Sequence, residues 1–299
     1  MTKKVGFIGL GLMGGNMARR LLASGYEVVG YDVNQETAEL LKNDGLKISN
    51  DIKEVVKEVE IICTSLPTPA IVNSVYLDEQ NGILNNASEG TIILDFSTVD
   101  PDTTRKNYEY GKQKGVQLLD TPVSGGPREC FNGTLVIMVG GDQDAMQKVD
   151  DILNCLASTI YYAGPSGAGN IAKLINNSIS MGTLLLSAEA FVLGVKAGVN
   201  ADALFNILSS GGAKSYHLLK RFPKILEGDF EPGFKLALAR KDLGLALDMS
   251  KMMKVPMTTL GTIYELFTAG SAMGLDDEDC AAIIKYFEQM AGVEARSAK

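Results

Sequence analysis

The segment Lys4-Val5-Gly6-Phe7-Ile8-Gly9-Leu10-Gly11-Leu12-Met13-Gly14 decides how the rest of the chain is read. It opens as a short apolar run of strand type and passes through G-x-G-x-x-G into the amphipathic stretch Met13–Ala23. Between a strand and a helix each glycine has a task. Gly9 permits a tight turn, Gly11 lets a diphosphate approach the backbone, and Gly14 lets the helix close on the strand. The helix then points free N–H groups and the positive end of its dipole at the anion. Leu10, Leu12 and Met13 complete this candidate dinucleotide-binding turn.

Working outward, Glu27–Tyr31 reads as a second strand ending at Asp32. An acid about 20 residues past the glycines is placed to accept the adenosine ribose hydroxyls. A loop acid or helix N-cap is the plainer reading of Asp32. The sequence Tyr31-Asp32-Val33-Asn34-Gln35 has no arginine, so a 2′-phosphate would meet a carboxylate and no cation. NAD is therefore expected over NADP. Further strands are expected at Glu60–Thr64, Thr91–Asp95, Val116–Asp120 and Leu135–Gly140, and further helices at Gln35–Asn43, Asp51–Lys57, Asp102–Lys114 and Asp142–Leu153. This alternation predicts a Rossmann-type, doubly wound parallel sheet. Two strand-end loops, Ser65-Leu66-Pro67-Thr68 and Phe96-Ser97-Thr98-Val99, lie where ligands bind in such folds. Leu66, Pro67 and Thr98 are candidate cofactor contacts, although Pro67 as a plain turn and Thr98 as an N-cap fit equally well.

The pattern changes at Gly164-Pro165-Ser166-Gly167. Strand-like runs stop, and one long helix is expected over Asn170–Lys196, apolar around most of its circumference and therefore buried. Helices follow near 201–210, 215–227, 235–253, 257–273 and 279–290. The expected organisation is an α/β domain over 1–163 and an all-α domain over 164–299.

Composition narrows the function. Lys and Arg number 28 against 36 Asp and Glu, a formal charge of −8, which disfavours a nucleic-acid partner. Four scattered cysteines and one histidine, His217, leave little from which to build a metal site or a histidine-based triad. No apolar run is read as reaching the roughly 20 residues of a membrane span, and no membrane partner is expected. The cytoplasm is the expected location.

Two segments carry candidate chemistry. In Asp120-Thr121-Pro122-Val123-Ser124-Gly125-Gly126, the hydroxyl of Ser124 and the N–H groups of Gly125 and Gly126 suit a carboxylate, though a plain loop is the simpler reading. In Gly167-Ala168-Gly169-Asn170-Ile171-Ala172-Lys173-Leu174-Ile175-Asn176-Asn177, Lys173 and Asn177 share a helix face. A lysine on an otherwise apolar helix is expected to have its pKa lowered toward neutrality, which makes it a competent proton donor and acceptor. The plainer reading is a lysine that snorkels to solvent. Lys241, followed by Asp242, opens another apolar helix. The methionines Met249, Met252, Met253 and Met257 are expected in core and subunit interfaces.

Together these segments resemble the β-hydroxyacid dehydrogenase family, whose members include 3-hydroxyisobutyrate dehydrogenase, tartronate semialdehyde reductase and 2-(hydroxymethyl)glutarate dehydrogenase. The motifs run in order: Gly9-x-Gly11-x-x-Gly14-x-x-Met17; Asp120-x-Pro122-Val123-Ser124-Gly125-Gly126 with Gly133-Thr134-Leu135; Gly164-x-x-Gly167-x-Gly169-x-x-x-Lys173-x-x-Asn176-Asn177; and Lys241-Asp242-Leu243. The resemblance implies Lys173 as acid/base. It implies Ser124, Gly125, Gly126 and Asn177 on the substrate carboxylate and hydroxyl, Lys241 and Thr98 on the cofactor, and Asp242 in support. It implies a small carboxylate-bearing aldehyde or hydroxy acid as substrate, and a homodimer or homotetramer packed through the helical domain. NADP-preferring members carry Asn-Arg-Thr after the second strand, and Asp32-Val33-Asn34 departs from that. Arg128 and His217 are candidates to read a distal acidic group on the substrate, surface residues being the plainer reading. An imine reductase and a non-catalytic dinucleotide-binding module share this plan, but both lack the lysine.

Overall fold

The structure is a computed structural model describing residues 3–297. The chain divides into two compact units, one up to Lys173 and one from Leu174 onward.

Among the described residues, the first unit holds all the strands. They are β1 (Lys4–Ile8), β2 (Glu27–Tyr31), β3 (Lys47–Ile48), β4 (Ile61–Thr64), β5 (Ile92–Asp95), β6 (Gln117–Asp120), β7 (Val123–Ser124), β8 (Leu135–Gly140) and β9 (Ala157–Gly164). Between them run α1 (Leu12–Ala23), α2 (Gln35–Lys42), α3 (Ile52–Lys57), α4 (Pro69–Leu77), α5 (Ile83–Asn86), α6 (Pro101–Gln113), α7 (Pro127–Asn132), α8 (Gln143–Lys148) and α9 (Asp150–Leu156). The sheet order is β3-β2-β1-β4-β5-β6-β8-β7, with β9 paired to β8. The strand order reverses between β1 and β4, which opens a crevice at their carboxyl ends.

Successive strand residues point to opposite faces, and the core records this. Val5, Phe7, Cys63, Leu94 and Leu119 join one apolar cluster with Met17 and Leu21 of α1. Ile8, Ile62, Ile93 and Leu118 join the other, with Val55, Val72 and Tyr76 of α3 and α4. Helices cover both faces, as the all-apolar strands require.

The sheet is not wholly parallel. β8 runs antiparallel to β6 and β7, while β9 runs parallel to β8. The β7–β8 link holds only the short helix α7, too little for a crossover, so the chain turns back on itself. The stretch Asp142–Leu153, expected as one helix, is two, broken at Val149 and extended to Leu156.

The second unit consists of most of α10 (Ala168–Lys196), then α11 (Ala201–Ser210), α12 (Tyr216–Glu227), α13 (Leu236–Met253), α14 (Thr258–Ala272), a 3-10 turn at Cys280–Ile283 and α15 (Ile284–Ala291). Helix α10 is roughly 43 Å long at about 1.5 Å per residue. Leu174, Met181, Leu184, Leu185, Ala188 and Phe191 form its core stripe, packed with Phe222, Leu243 and Phe267. The expectation of burial all round does not hold, because Ile175, Ile179, Leu186 and Leu193 are exposed on another face. By length and overall composition alone, α10 is also apolar enough to cross a membrane. Ser180, Ser187 and Glu189 break that stretch, so it contains no unbroken apolar run of such length.

Candidate active site

The glycine-rich turn is built as its spacing demands. Gly9 has φ +89°, and a Cβ there would lie 2.4 Å from the Ser65 carbonyl oxygen, so the loops after β1 and β4 touch. A Cβ on Gly14 would fall 1.9 Å from the Gly9 carbonyl oxygen. At Gly11 a Cβ would meet nothing within 4 Å. Gly11 is also the N-cap of α1, whose first turn no side chain caps. Open space beside uncapped N–H groups is what a diphosphate needs. The Asp32 carboxylate accepts from the Leu10 N–H at 2.6 Å and from the Asn34 N–H at 2.8 Å, which ties the end of β2 to the turn. Asn34, not Asp32, caps α2. Each oxygen of Asp32 keeps a lone pair for another donor. These residues fit a dinucleotide without a 2′-phosphate.

The loops after β4 and β5 are latched together from below. The Leu66 N–H donates to Ser97 Oγ at 2.9 Å, and the Ser97 N–H donates to Asp95 Oδ1 at 3.0 Å. Thr64 Oγ1 donates to the same Asp95 oxygen at 2.9 Å and lies 2.8 Å from the Tyr76 hydroxyl. Burial pushes the Asp95 carboxyl up to about 6, opposed by Ser97 and Thr64 and reinforced by the Asp120 charge. Leu66 and Thr98 are half-buried and Pro67 is exposed. Thr98 is not an N-cap; Asp100 caps α6.

Asp120 ends β6, beside Asp95 in the register. Its fully buried carboxylate accepts from the Gly167 N–H at 2.8 Å and the Asn170 N–H at 2.9 Å. It therefore caps the start of α10, where negative charge is favoured. Burial raises this carboxyl above its ordinary value, while the N–H groups of Gly167, Asn170 and Gly169 pull the other way. Glycine is required here for closeness: a Cβ on Gly169 would lie 2.5 Å from the Met138 carbonyl oxygen and 2.7 Å from that of Asp120. Lys173 follows in the next turn of the same helix and is half-buried. It does not sit on a helix closed to solvent, as the sequence reading assumed.

Ser124 is half-buried and pairs with Val136, and Gly125 has φ +133°. The N–H of Gly126, expected to face a substrate, donates instead to Glu129 Oε2 at 2.8 Å. The acid at the third position of α7 reaches back to cap its own helix. Arg128, between them, is exposed.

In the helical unit, three expected residues come together. Asn177 Nδ2 donates to Asp242 Oδ2 at 2.6 Å, and Lys241 Nζ lies 3.0 Å from Asp242 Oδ1. Asn176 Nδ2 donates to Asn177 Oδ1 at 3.1 Å. Asp242 is buried and balanced by both partners, as a buried carboxylate must be. His217 is buried as well, and its Nδ1 accepts from Arg221 Nε at 3.0 Å. Arg221 in turn pairs with Asp279.

The sequence reading missed Asp95, Ser97, Thr104 and Asn170. A signal for the first was present: β5 and β6 are apolar runs that each end in an acid.

Residues 4–164 match the family model described as the NAD binding domain of 6-phosphogluconate dehydrogenase. Residues 167–287 match the one described as the NAD-binding of NADP-dependent 3-hydroxyisobutyrate dehydrogenase. The chain is 38% identical to 2-(hydroxymethyl)glutarate dehydrogenase of Eubacterium barkeri, over 97% of this chain and 96% of that protein. Among solved structures it is similar to 3-hydroxyisobutyrate dehydrogenase of Mycobacterium tuberculosis with L-serine, at TM-score 0.85 and 31% identity, covering 96% and 99% of the two chains. It is likewise similar to 3-hydroxyisobutyrate dehydrogenase of Salmonella typhimurium, at TM-score 0.88 and 26% identity, covering 95% and 99%. A glycine-rich turn with room at Gly11, an acid at the end of β2 and matches spanning both units lead to one assignment: the chain belongs to the β-hydroxyacid dehydrogenase family of NAD-dependent oxidoreductases.

Proposed function

We propose that this enzyme interconverts a small 3-hydroxy acid and its semialdehyde, with Lys173 as the group that moves the hydroxyl proton. The observation that carries the reading is one helix that bears Lys173 and Asn177 a turn apart and whose first turn is fastened to Asp120. Bound NAD supplies the redox chemistry, taking up a hydride in oxidation and returning it in reduction. The uncapped first turn of α1 would hold its diphosphate, and the lone pairs of Asp32 would accept its ribose hydroxyls. Leu66, Pro67, Thr98 and Lys241 are assigned as further cofactor contacts, with Asp242 beside Lys241 in support.

Ser124 and the Gly125 N–H donate to the substrate carboxylate, and Gly126 joins them only where Glu129 yields its N–H. The Asn177 amide, held by Asp242, offers its second N–H to the substrate. In oxidation, the carbinol C–H pair leaves as hydride, the O–H proton passes to the Lys173 amine, and a C=O bond forms. In reduction the Lys173 ammonium returns the proton to the carbonyl oxygen. Such a positioned acid/base is worth about 100-fold or more.

Similar proteins act on 2-(hydroxymethyl)glutarate and 3-hydroxyisobutyrate by name. Both substrates carry a hydroxymethyl group on the carbon next to a carboxylate, and we assign that class to this enzyme. Of the two side chains considered for a distal acidic group, Arg128 is the one that suits it. His217 is buried and already accepts from Arg221. The enzyme is also assigned as a homodimer or homotetramer, supported by the exposed apolar stripe of α10.

The test is nicotinamide absorbance against a panel of hydroxymethyl carboxylates with the wild type and Lys173→Ala. The variant should lose at least about 100-fold in kcat while still binding NAD. Normal turnover by the variant would refute the role given to Lys173, and inactivity of the wild type across the panel would refute the substrate class.

A further inference from the structure

One fully buried side chain near Lys173 has no part in the scheme above. Asn170 is 0% exposed, and both ends of its amide leave its own helix. Its Oδ1 accepts the Val99 N–H at 3.1 Å, and its Nδ2 donates to Thr104 Oγ1 at 3.1 Å. Asparagine is a poor helix former in a helix interior, and a buried amide is costly unless satisfied. Its side chain here is satisfied by the loop between β5 and α6 and by the first turn of α6. Val99 directly follows Thr98.

The surroundings leave no slack along the approach of the helix. Gly169 seats the backbone on Met138 and Asp120, and a Cβ on Gly140 would lie 2.5 Å from Asp120 Oδ1. Asp120 accepts backbone N–H groups at the start of the helix, so it sets how deeply the helix is seated. Rotation about the helix axis is set by side chains, and Asn170 supplies a pair of directional bonds on the turn that precedes Lys173.

We propose that Asn170 is a positioning residue that keys the rotation of the first turn of α10, and so the direction in which Lys173 leaves it, to the loop carrying Thr98. This rests on the role given to Lys173. It predicts that the proton-moving group and the cofactor loop lose their mutual register when the amide bridge is cut, even though neither is itself altered.

The experiment uses the full chain with NAD and the hydroxy acid turned over best. Rates are expressed per NAD-binding site, so that a loss of folded protein does not count as a loss of kcat. Asn170→Ala should lower kcat by about 10- to 100-fold, the effect of misplacing a reacting group by about 1 Å. The KM for NAD should change by less than about threefold, and the deuterium isotope effect on kcat should rise as hydride transfer becomes limiting. Thr104→Val keeps the bulk and removes the acceptor, and should lower kcat several-fold, whereas Thr104→Ser should restore it. Should Asn170→Ala not fold, the Thr104 pair decides. Unchanged kcat per site in Asn170→Ala and Thr104→Val overturns the proposal, as does a loss in Thr104→Ser equal to that in Thr104→Val. Lys173→Ala separates the two readings: activity there defeats the lysine assignment, whereas an inactive Lys173→Ala beside a fully active Asn170→Ala defeats only this one.

Discussion

Gly11 and Gly14 stand three residues apart and should fail differently when given a methyl group. The added carbon at Gly11 meets nothing in the protein, so Gly11→Ala should fold with the melting temperature of the wild type. It would occupy the space assigned to the diphosphate, and NAD affinity should fall by about tenfold or more. At Gly14 the carbon would collide with the Gly9 carbonyl, so Gly14→Ala should lose stability first, by a few kcal/mol. Thermal melts with and without NAD distinguish the cases. Equal loss of stability in both variants would contradict this division. The same residues show how far the sequence could be read. The glycine tasks follow from local geometry, and so were visible in it. The Glu129 bond to Gly126 was not, because nothing in the spacing says which acceptor claims an N–H. The bonds of Asn170 to Val99 and Thr104 join residues far apart in the chain, and no local pattern announces them.

Among the elements, β5 ends in a carboxyl whose shift gives a pH signature. The Asp95 carboxyl sits at about 6 in the folded protein, above its ordinary value of 3.8. A carboxyl raised on folding binds its proton more firmly in the native state. Its contribution is present in full below the unfolded pKa and is lost as pH rises through about 6. Asparagine at this position stays neutral, and its Oδ1 can accept from both Thr64 and Ser97 as the carboxylate oxygen does. Asp95→Asn should therefore melt above the wild type at pH 8, with a ceiling of roughly 3 kcal/mol, and the gap should close as pH falls toward 4. Calorimetry across that range checks it, and a gap independent of pH would count against the cause given.

Elements also mark the limits of sequence reading. The strands β1, β2, β4, β5, β6 and β8 were legible because they are buried on both faces or bounded by turn residues. β9 was not, since its Ala-Ser-Thr-Ile-Tyr-Tyr run is half-exposed and owes its strand form to pairing with β8. Helix α4 had a signal that was passed over, Thr68 as N-cap with Pro69 behind it.

At the scale of the whole molecule, α10 presents an apolar stripe at the surface. Ile179 is 64% exposed, Leu186 65% and Leu193 70%, on a helix whose other face is core. This stripe is the surface on which the proposed assembly would pair, and a two-fold pairing of like helices is the commonest solution. If the proposed assembly pairs through this stripe, a double variant, Ile179→Glu with Leu186→Glu, should be monomeric in light scattering while far-ultraviolet dichroism stays unchanged. An unchanged mass would place the subunit contact elsewhere. The split between the two compact units falls at Lys173, partway along a helix that begins at Ala168 and ends at Lys196. Its first turn is clasped by Asp120 and Asn170, and its remainder is woven into the helical core. Cutting the backbone at Lys173 should thus strand a helical stub on one piece and strip the other of its anchored beginning.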